Sequence, residues 1–325
     1  MVGVEPEQRQ ILILGWGFLG DAIGKRLKAD GLGVTGLTRS ATWRTEAARR
    51  AGVRIVVGDA RRPDVLEEAL LDVDHVVFCA GGITPPAAAA DPSKAATAIL
   101  LPLLAVNEAL SKRPHVALTY LSSGGAVYGD PDRLPVDESE PALPISTYGA
   151  LHLSAETCAQ AYARRFGTPL NILRCANVYG PGQASDRDQG VVAIFLDRIN
   201  RGLPVSIFGD GKALRDYVLV DDVASVVARV VEDRIDVGTV NVGSGQGHTV
   251  LEILDAISRS VGTSAIVDHR PRRGFDVRSV VLDIRRLSSL IPYAPTDFHR
   301  GLDMTAAEYS RRRLLQVDPA AALNT

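Results

Sequence analysis

Tyr148 and His152 stand four residues apart in a stretch with helical character, residues 146–167. Their side chains therefore rise from one face of a helix and can meet the same ligand. A phenol has an ordinary pKa near ~10, so it donates a proton at neutral pH and becomes a base only beside a group that favours the phenolate. An imidazole, with an ordinary pKa of about 6.5, is mostly uncharged at pH 7. It can hydrogen-bond a hydroxyl, but its electrostatic help is conditional. The pair points to proton transfer at an oxygen.

A second group of residues fits a phosphate. Ile11-Leu12-Ile13-Leu14 runs into Gly15-Trp16-Gly17-Phe18-Leu19-Gly20, and a helical pattern follows. This is the strand-to-helix context in which a G-x-G-x-x-G loop lets backbone approach the pyrophosphate of a dinucleotide at a helix N-terminus. The next strand ends near Thr38 and Arg39, with Arg44 close behind. An acidic residue there would accept from an adenosine ribose and repel a 2′-phosphate, whereas a guanidinium suits the phosphate. NADP(H) is therefore expected in preference to NAD(H).

These residues need a scaffold, and the hydrophobic pattern supplies one. Strand-like runs at residues 11–14, 34–37, 53–57, 75–79, 117–121 and 170–173 alternate with helical patterns at 19–29, 63–70, 93–110 and 148–166. Such alternation predicts an α/β fold with a doubly wound parallel sheet of Rossmann type. Beyond Asn177 the pattern loses regularity and gains glycine turns. The expected organisation is a dinucleotide-binding domain over residues 1–176 with a return segment at 215–248, whose last strand is 239–242. Residues 177–214 and 249–313 form a smaller C-terminal substrate-binding lobe, and 314–325 a flexible tail.

The chain has 325 residues, a net charge of −2 and a pI near 6.3, so no polybasic surface points to nucleic acid or an anionic membrane. No run of 18 apolar residues suggests a membrane span, and the polar first ten residues do not read as a signal peptide. Cys79, Cys158 and Cys175 are scattered and odd in number. They predict neither a disulfide framework nor a metal site and fit a reducing cytoplasm.

Tyr148-Gly149-Ala150-Leu151-His152 resembles the Tyr-x-x-x-Lys signature of the short-chain dehydrogenase/reductases, with histidine in the lysine position. Other blocks resemble the extended members that modify nucleotide sugars, the UDP-glucose 4-epimerase group above all. They are Leu121-Ser122-Ser123-Gly124-Gly125-Ala126-Val127-Tyr128-Gly129, Asn177-Val178-Tyr179-Gly180-Pro181-Gly182, Ile207-Phe208-Gly209-Asp210-Gly211, Arg215-Asp216-Tyr217, Asn241-Val242-Gly243 and Arg273-Gly274-Phe275-Asp276. The resemblance covers residues 11–290 in collinear order. It implies that Asp59 and Ala60 pass the adenine, and that Ala80, Gly81 and Gly82 pass the cofactor ribose and nicotinamide. It implies a catalytic set of Tyr148 and His152, with Ser123 substituting for the family's hydroxyl residue one position on. A nucleotide-diphosphate sugar would meet Gly124, Gly125, Asn177, Gly190, Val191, Phe208, Arg215, Arg273 and Asp276. Arg215 and Arg273 would supply charge-assisted contacts to its pyrophosphate, and Phe208 an aromatic wall. Family members often form homodimers, which is the expectation here.

The departures are as specific as the matches. The family's catalytic serine or threonine falls at Gly124, its helix asparagine at Ile99 and its lysine at His152. Three readings follow. The first is a nucleotide-sugar epimerase that moves a hydride through a keto-sugar intermediate, at C4. The second is an NADPH-dependent 4-ketoreductase of a deoxysugar nucleotide. The third is a cofactor-binding protein with weakened catalysis.

Overall fold

The computed structural model describes residues 8–317. Its largest element is a seven-stranded, all-parallel sheet of β1 (Gln10–Leu14), β2 (Gly33–Thr38), β3 (Arg54–Val57), β4 (His75–Phe78), β5 (Ala117–Ser123), β6 (Leu170–Cys175) and β10 (Thr239–Val242). The spatial order is β10-β6-β5-β4-β1-β2-β3. The chain reverses direction of winding between β1 and β4, and a crevice opens beyond the carboxyl ends of strands at such a switch point. This is the Rossmann-type sheet that the strand–helix alternation predicts.

Each strand serves two cores because successive side chains point to opposite faces. Ile11 and Ile13 join Trp16, Val77 and Leu121 on one face, while Leu12 and Leu14 join Phe78, Ile99 and Tyr120 on the other. The connections are α1 (Phe18–Ala29), α2 (Trp43–Arg50), α3 (Pro63–Ala69), α4 (Pro85–Ala90), α5 (Pro92–Ser111), the single turn α6 (Gly124–Val127) and α7 (Thr147–Phe166). α2 is absent from the sequence pattern, since four of its eight residues are Arg or Glu and only Thr45 and Ala48 are buried.

α5 is long and apolar enough, by length and composition, to cross a membrane. Here it packs against α7, with Ile99, Leu103, Val106 and Leu110 buried. α7 begins where the Ser146 hydroxyl accepts from the Gly149 amide at 3.1 Å, and ends at Gly167 in the left-handed conformation. Its buried stripe is Gly149, His152, Ala155, Glu156 and Ala159. The small residues admit close packing, and the two polar ones face β5.

The rest of the chain is less regular. β7 (Asn177–Tyr179), β9 (Leu214–Leu219) and β11 (Gly247–Thr249) form a three-stranded sheet, and β8 (Val205–Phe208) pairs with β12 (Val267–Arg270). α9 (Val220–Glu232) packs on α1. α8 (Val191–Asn200), α10 (Val250–Val261) and α12 (Phe298–Val317) enclose a third core with Tyr179, Phe195, Ile207, Ile253 and Phe298, while α11 (Arg285–Leu290) lies by β10. α12 runs through Val317, so the first residues of the expected 314–325 tail are helical; residues 318–325 lie outside those described.

Candidate active site

A single cleft of about 1780 Å³ runs from the glycine loop across the carboxyl ends of β4, β5 and β6 to the second lobe. A drug-sized pocket occupies roughly 300–1,000 Å³, so the space admits two nucleotide-sized ligands end to end. The glycine loop forms one end. Gly15 has φ +101°, and a Cβ there would lie 2.7 Å from the Ala80 amide nitrogen, while one on Gly20 would strike the Gly15 carbonyl oxygen. Only glycine permits this approach of β1, β4 and α1. α1 has no side-chain cap, which leaves the amides of Phe18, Leu19 and Gly20 available to an anion. Trp16 borders the cleft, but its ring is buried at 3 % exposure against Gly24 and Gly36. The expected ligand contact is thus confined to its edge, and the ring belongs to the core.

Along this end the cleft passes Thr38, Arg39, Asp59, Ala60, Ala80, Gly81 and Gly82. Arg39 is exposed. Arg44 is engaged elsewhere: it donates to the Gly182 carbonyl at 2.5 Å and lies 3.8 Å from Asp21. The Arg61 guanidinium beside Asp59 holds that carboxyl at about 2, helped by its amide. Asp59 is therefore an anion that can accept a hydrogen bond. Cys79 and Cys175 also border the cleft; burial pushes both thiols up, Cys175 to about 12.

Midway, α7 carries Tyr148 and His152 against the end of β5. Their rings lie 4.5 Å apart. Burial raises the Tyr148 phenol above its ordinary value, against the polar side chains of Ser123 and Gln189 beside it, which lower it. The serine beside this tyrosine is therefore Ser123. Gly124 does not border the cleft: it is buried, and a Cβ there would lie 2.7 Å from Leu282 Cδ1 and 2.8 Å from the Arg174 carbonyl oxygen. The expectation that Gly124 touches substrate is corrected on that ground, while Gly125 stays at the cleft wall near Asn177.

His152 is 5 % exposed, and burial lowers its pKa to about 4. It is an uncharged imidazole at neutral pH and cannot stand in for a cation. Its Nδ1 lies 2.7 Å from the Tyr120 hydroxyl, and its Nε2 is buried without a partner among the described residues.

The far end belongs to the second lobe. Asn177, Gly190, Val191, Phe208, Arg215, Arg273 and Asp276 all border the cleft. Arg273 stacks over Phe208 at 4.1 Å from the ring centre and makes a two-point pair with Asp276 at 2.8 and 3.3 Å. Asp276 thus orients Arg273. Arg215 donates to the carbonyls of Leu214, at 2.9 Å, Arg278, at 3.1 Å, and Val277. A guanidinium has five N–H donors, so Arg215 keeps two for a ligand.

Residues 11–243 match the profile of the NAD dependent epimerase/dehydratase family. The chain belongs to that family. A putative UDP-glucose 4-epimerase of Methanocaldococcus jannaschii is 33% identical over 89% of this chain and 94% of its own length. The Thermotoga maritima UDP-glucose 4-epimerase, solved with UDP-glucose, superposes with a TM-score of 0.88 at 29% identity, covering 94% of this chain and 99% of that one. The Thermus thermophilus UDP-glucose 4-epimerase, solved with NAD, superposes at 0.86 with 32% identity, covering 93% and 99%. A nucleotide cofactor fits the cleft of this family member on its own geometry, through the glycine cradle, the uncapped helix and the unpartnered His152 nitrogen.

Two residues of this site escaped the motif reading. Gln189 stands beside Tyr148, whereas the family resemblance reads Gln189-Gly190-Val191 only as the start of the helix that passes the nucleobase. Tyr120 looks like one more buried β-strand aromatic. The signal for it was the strand period: Tyr120 and Ser122 share a face of β5, opposite the polar pair His152 and Glu156 on α7.

Proposed function

We propose that this chain is a nucleotide-sugar 4-epimerase. The observation that carries the reading is the meeting of the Tyr148 and Ser123 hydroxyls midway along one cleft, between the glycine loop and the arginine-lined lobe. The nicotinamide cofactor, when bound, accepts and returns the hydride. Tyr148 then handles one proton at the sugar oxygen, taking it as C4 is oxidised to the keto sugar and giving it back on reduction of the other face. Ser123 holds that oxygen by a second hydrogen bond. Arg215 and Arg273 bind the pyrophosphate, Phe208 covers the base, and Asn177, Gly125, Gly190 and Val191 wall the sugar and nucleotide. His152 holds the cofactor ribose through Nε2. Thr38 and Arg39 favour NADP(H), while Asp59 accepts from the adenine.

A second reading rests on a specific observation. The uncharged His152 does nothing to favour the Tyr148 phenolate, and a neutral phenol is suited to donating a proton. That matches net reduction of a 4-keto deoxysugar nucleotide by NADPH. Purified protein incubated with UDP-glucose deuterated at C4 separates the two. Epimerisation gives UDP-galactose with the label retained at C4 and a tightly held oxidised cofactor in native mass spectrometry. Reduction gives no interconversion and consumes NADPH in proportion to added 4-keto sugar nucleotide. A protein that does neither with UDP or TDP sugars has another function.

A further inference from the structure

Tyr120 lies in the middle of β5 with 0 % exposure, packed at 5.7 Å against the Phe78 ring. A buried hydroxyl needs an acceptor, and the partner of this one is Nδ1 of His152, at 2.7 Å. Two proton arrangements are conceivable for the pair. If Nδ1 carried the imidazole proton and donated to Tyr120, the phenol proton would be left in the core with no acceptor among the described residues. If Tyr120 donates, Nδ1 is the lone-pair nitrogen and the imidazole proton sits on Nε2. Burying unmet polar groups is costly. The first arrangement strands both the phenol proton in the core and the Nε2 lone pair; the second strands only the Nε2 proton of a residue that borders the cleft, which selects the second. His152 Nε2 is itself buried, has no partner among the described residues, and belongs to a residue that borders the cleft.

We infer that Tyr120 is a positioning residue: by donating to Nδ1 it fixes His152 as the Nε2–H tautomer, aimed at the cleft as a neutral donor to a cofactor ribose hydroxyl. Without the Tyr120 bond the ring could flip or change tautomer, and Nε2 could present a lone pair. The ribose assignment rests on the function proposed above; the tautomer does not. The arrangement replaces a cationic donor by an uncharged one whose direction is set from the core.

The test has two arms. In protein ¹⁵N-labelled at histidine and free of cofactor, two-bond ¹H–¹⁵N spectra should show His152 with Nδ1 unprotonated and Nε2 protonated, and NADPH should shift the Nε2 proton downfield. Tyr120→Phe should lose the pure tautomer signature and weaken NADPH binding, read by its fluorescence, by about threefold to tenfold. In a His152→Ala background the same change should leave NADPH affinity untouched. A wild-type Nδ1–H tautomer overturns the proposal, as does an equal loss of affinity in both backgrounds. If Tyr120→Phe fails to fold, the wild-type tautomer decides alone. A protein with the expected tautomer that binds neither NADPH nor NADH removes the ribose role and the proposed function, but leaves the Tyr120–His152 assignment standing.

Discussion

Two polar contacts join β5 to α7, one helical turn apart. Residues two apart on a strand are separated by roughly 7 Å and residues four apart on a helix by roughly 6 Å, so Tyr120 and Ser122 can face His152 and Glu156 together. The Ser122–Glu156 contact is closed. The carboxylate accepts from Ser122 at 2.5 Å and from Arg174 at 2.7, 3.1 and 3.2 Å, and the guanidinium lies 4.9 Å over the Tyr128 ring. The Tyr120–His152 contact is open, with a single 2.7 Å bond and a buried nitrogen left over. The closed contact ties β5, β6 and α7 together. The open one leaves a buried nitrogen on a residue that borders the cleft. An unsatisfied buried polar group beside a fully satisfied one calls for an explanation, and the tautomer inferred above supplies it.

The open side is broken most severely at Tyr148. Tyr148→Phe keeps the ring beside His152 and removes the exchangeable proton. Turnover should fall by about 10²- to 10⁴-fold, the range of a lost general acid–base group, with cofactor binding and thermal stability retained. Full turnover in this variant would remove Tyr148 from the chemistry. The closed side should fail in the opposite way. Glu156→Ala strands the Arg174 guanidinium, 9 % exposed, without its carboxylate. Removing one partner of a buried pair costs about 3–5 kcal/mol, to be read by denaturant unfolding. A loss of activity without loss of stability would mean that Glu156 belongs to the site instead.

The contrast between these contacts also marks what could be read from the chain. The parallel sheet was legible because fully buried strands are short apolar runs between helices, and the glycine loop because its spacing has a geometric cause at Gly15 and Gly20. Tyr148 was legible from its spacing to His152. The state of His152 was not, because its charge depends on burial under β5, a tertiary property. Gly124 was misread because a loop block does not say which residue turns inward; the close approach of Leu282, far along the chain, decides it. Arg44 and Arg215 both bind backbone carbonyls contributed by remote loops, which the sequence does not foretell, and Arg215 does so with two donors left over. Charge in a sequence names a donor and leaves its partner open.

A smaller effect tests whether the glycine-loop end is independent of both contacts. Arg39 is exposed at the end of β2 and touches neither. Arg39→Ala should narrow the preference for NADPH over NADH by about 1–3 kcal/mol, the scale of a lost charge-assisted hydrogen bond, while leaving stability and the NADH affinity close to wild type. Equal binding of both dinucleotides by the unaltered protein would sink the assignment, and tighter binding of NADH would shift the cofactor to NAD.

A last test sharpens the open contact itself, through pH. His152 has a folded-state pKa of about 4 because burial disfavours the imidazolium, against about 6.5 when unfolded. Its titratable neighbours are Tyr120 on β5 and Tyr148 on its own helix, both protonated at neutral pH, and Glu156 one turn further along. Between pH 6.5 and 4 the unfolded chain binds a proton here that the folded chain refuses. Stability must therefore fall with falling pH across that window, by about 1.4 kcal/mol per pH unit for one full proton. The contribution is present above pH 6.5, and below pH 4 the slope vanishes because both states are protonated. His75, buried against Thr119 with a pKa also near 4, adds a second proton over the same range. His152→Gln should accordingly reduce the slope of unfolding free energy between pH 6.5 and 4 by one proton relative to wild type and leave the His75 share intact. Carboxylates titrate equally in both proteins, so the difference between the two curves isolates His152. Parallel curves would mean that the imidazole is already charged in the folded state, and the open contact would then hold a cation much as a lysine would.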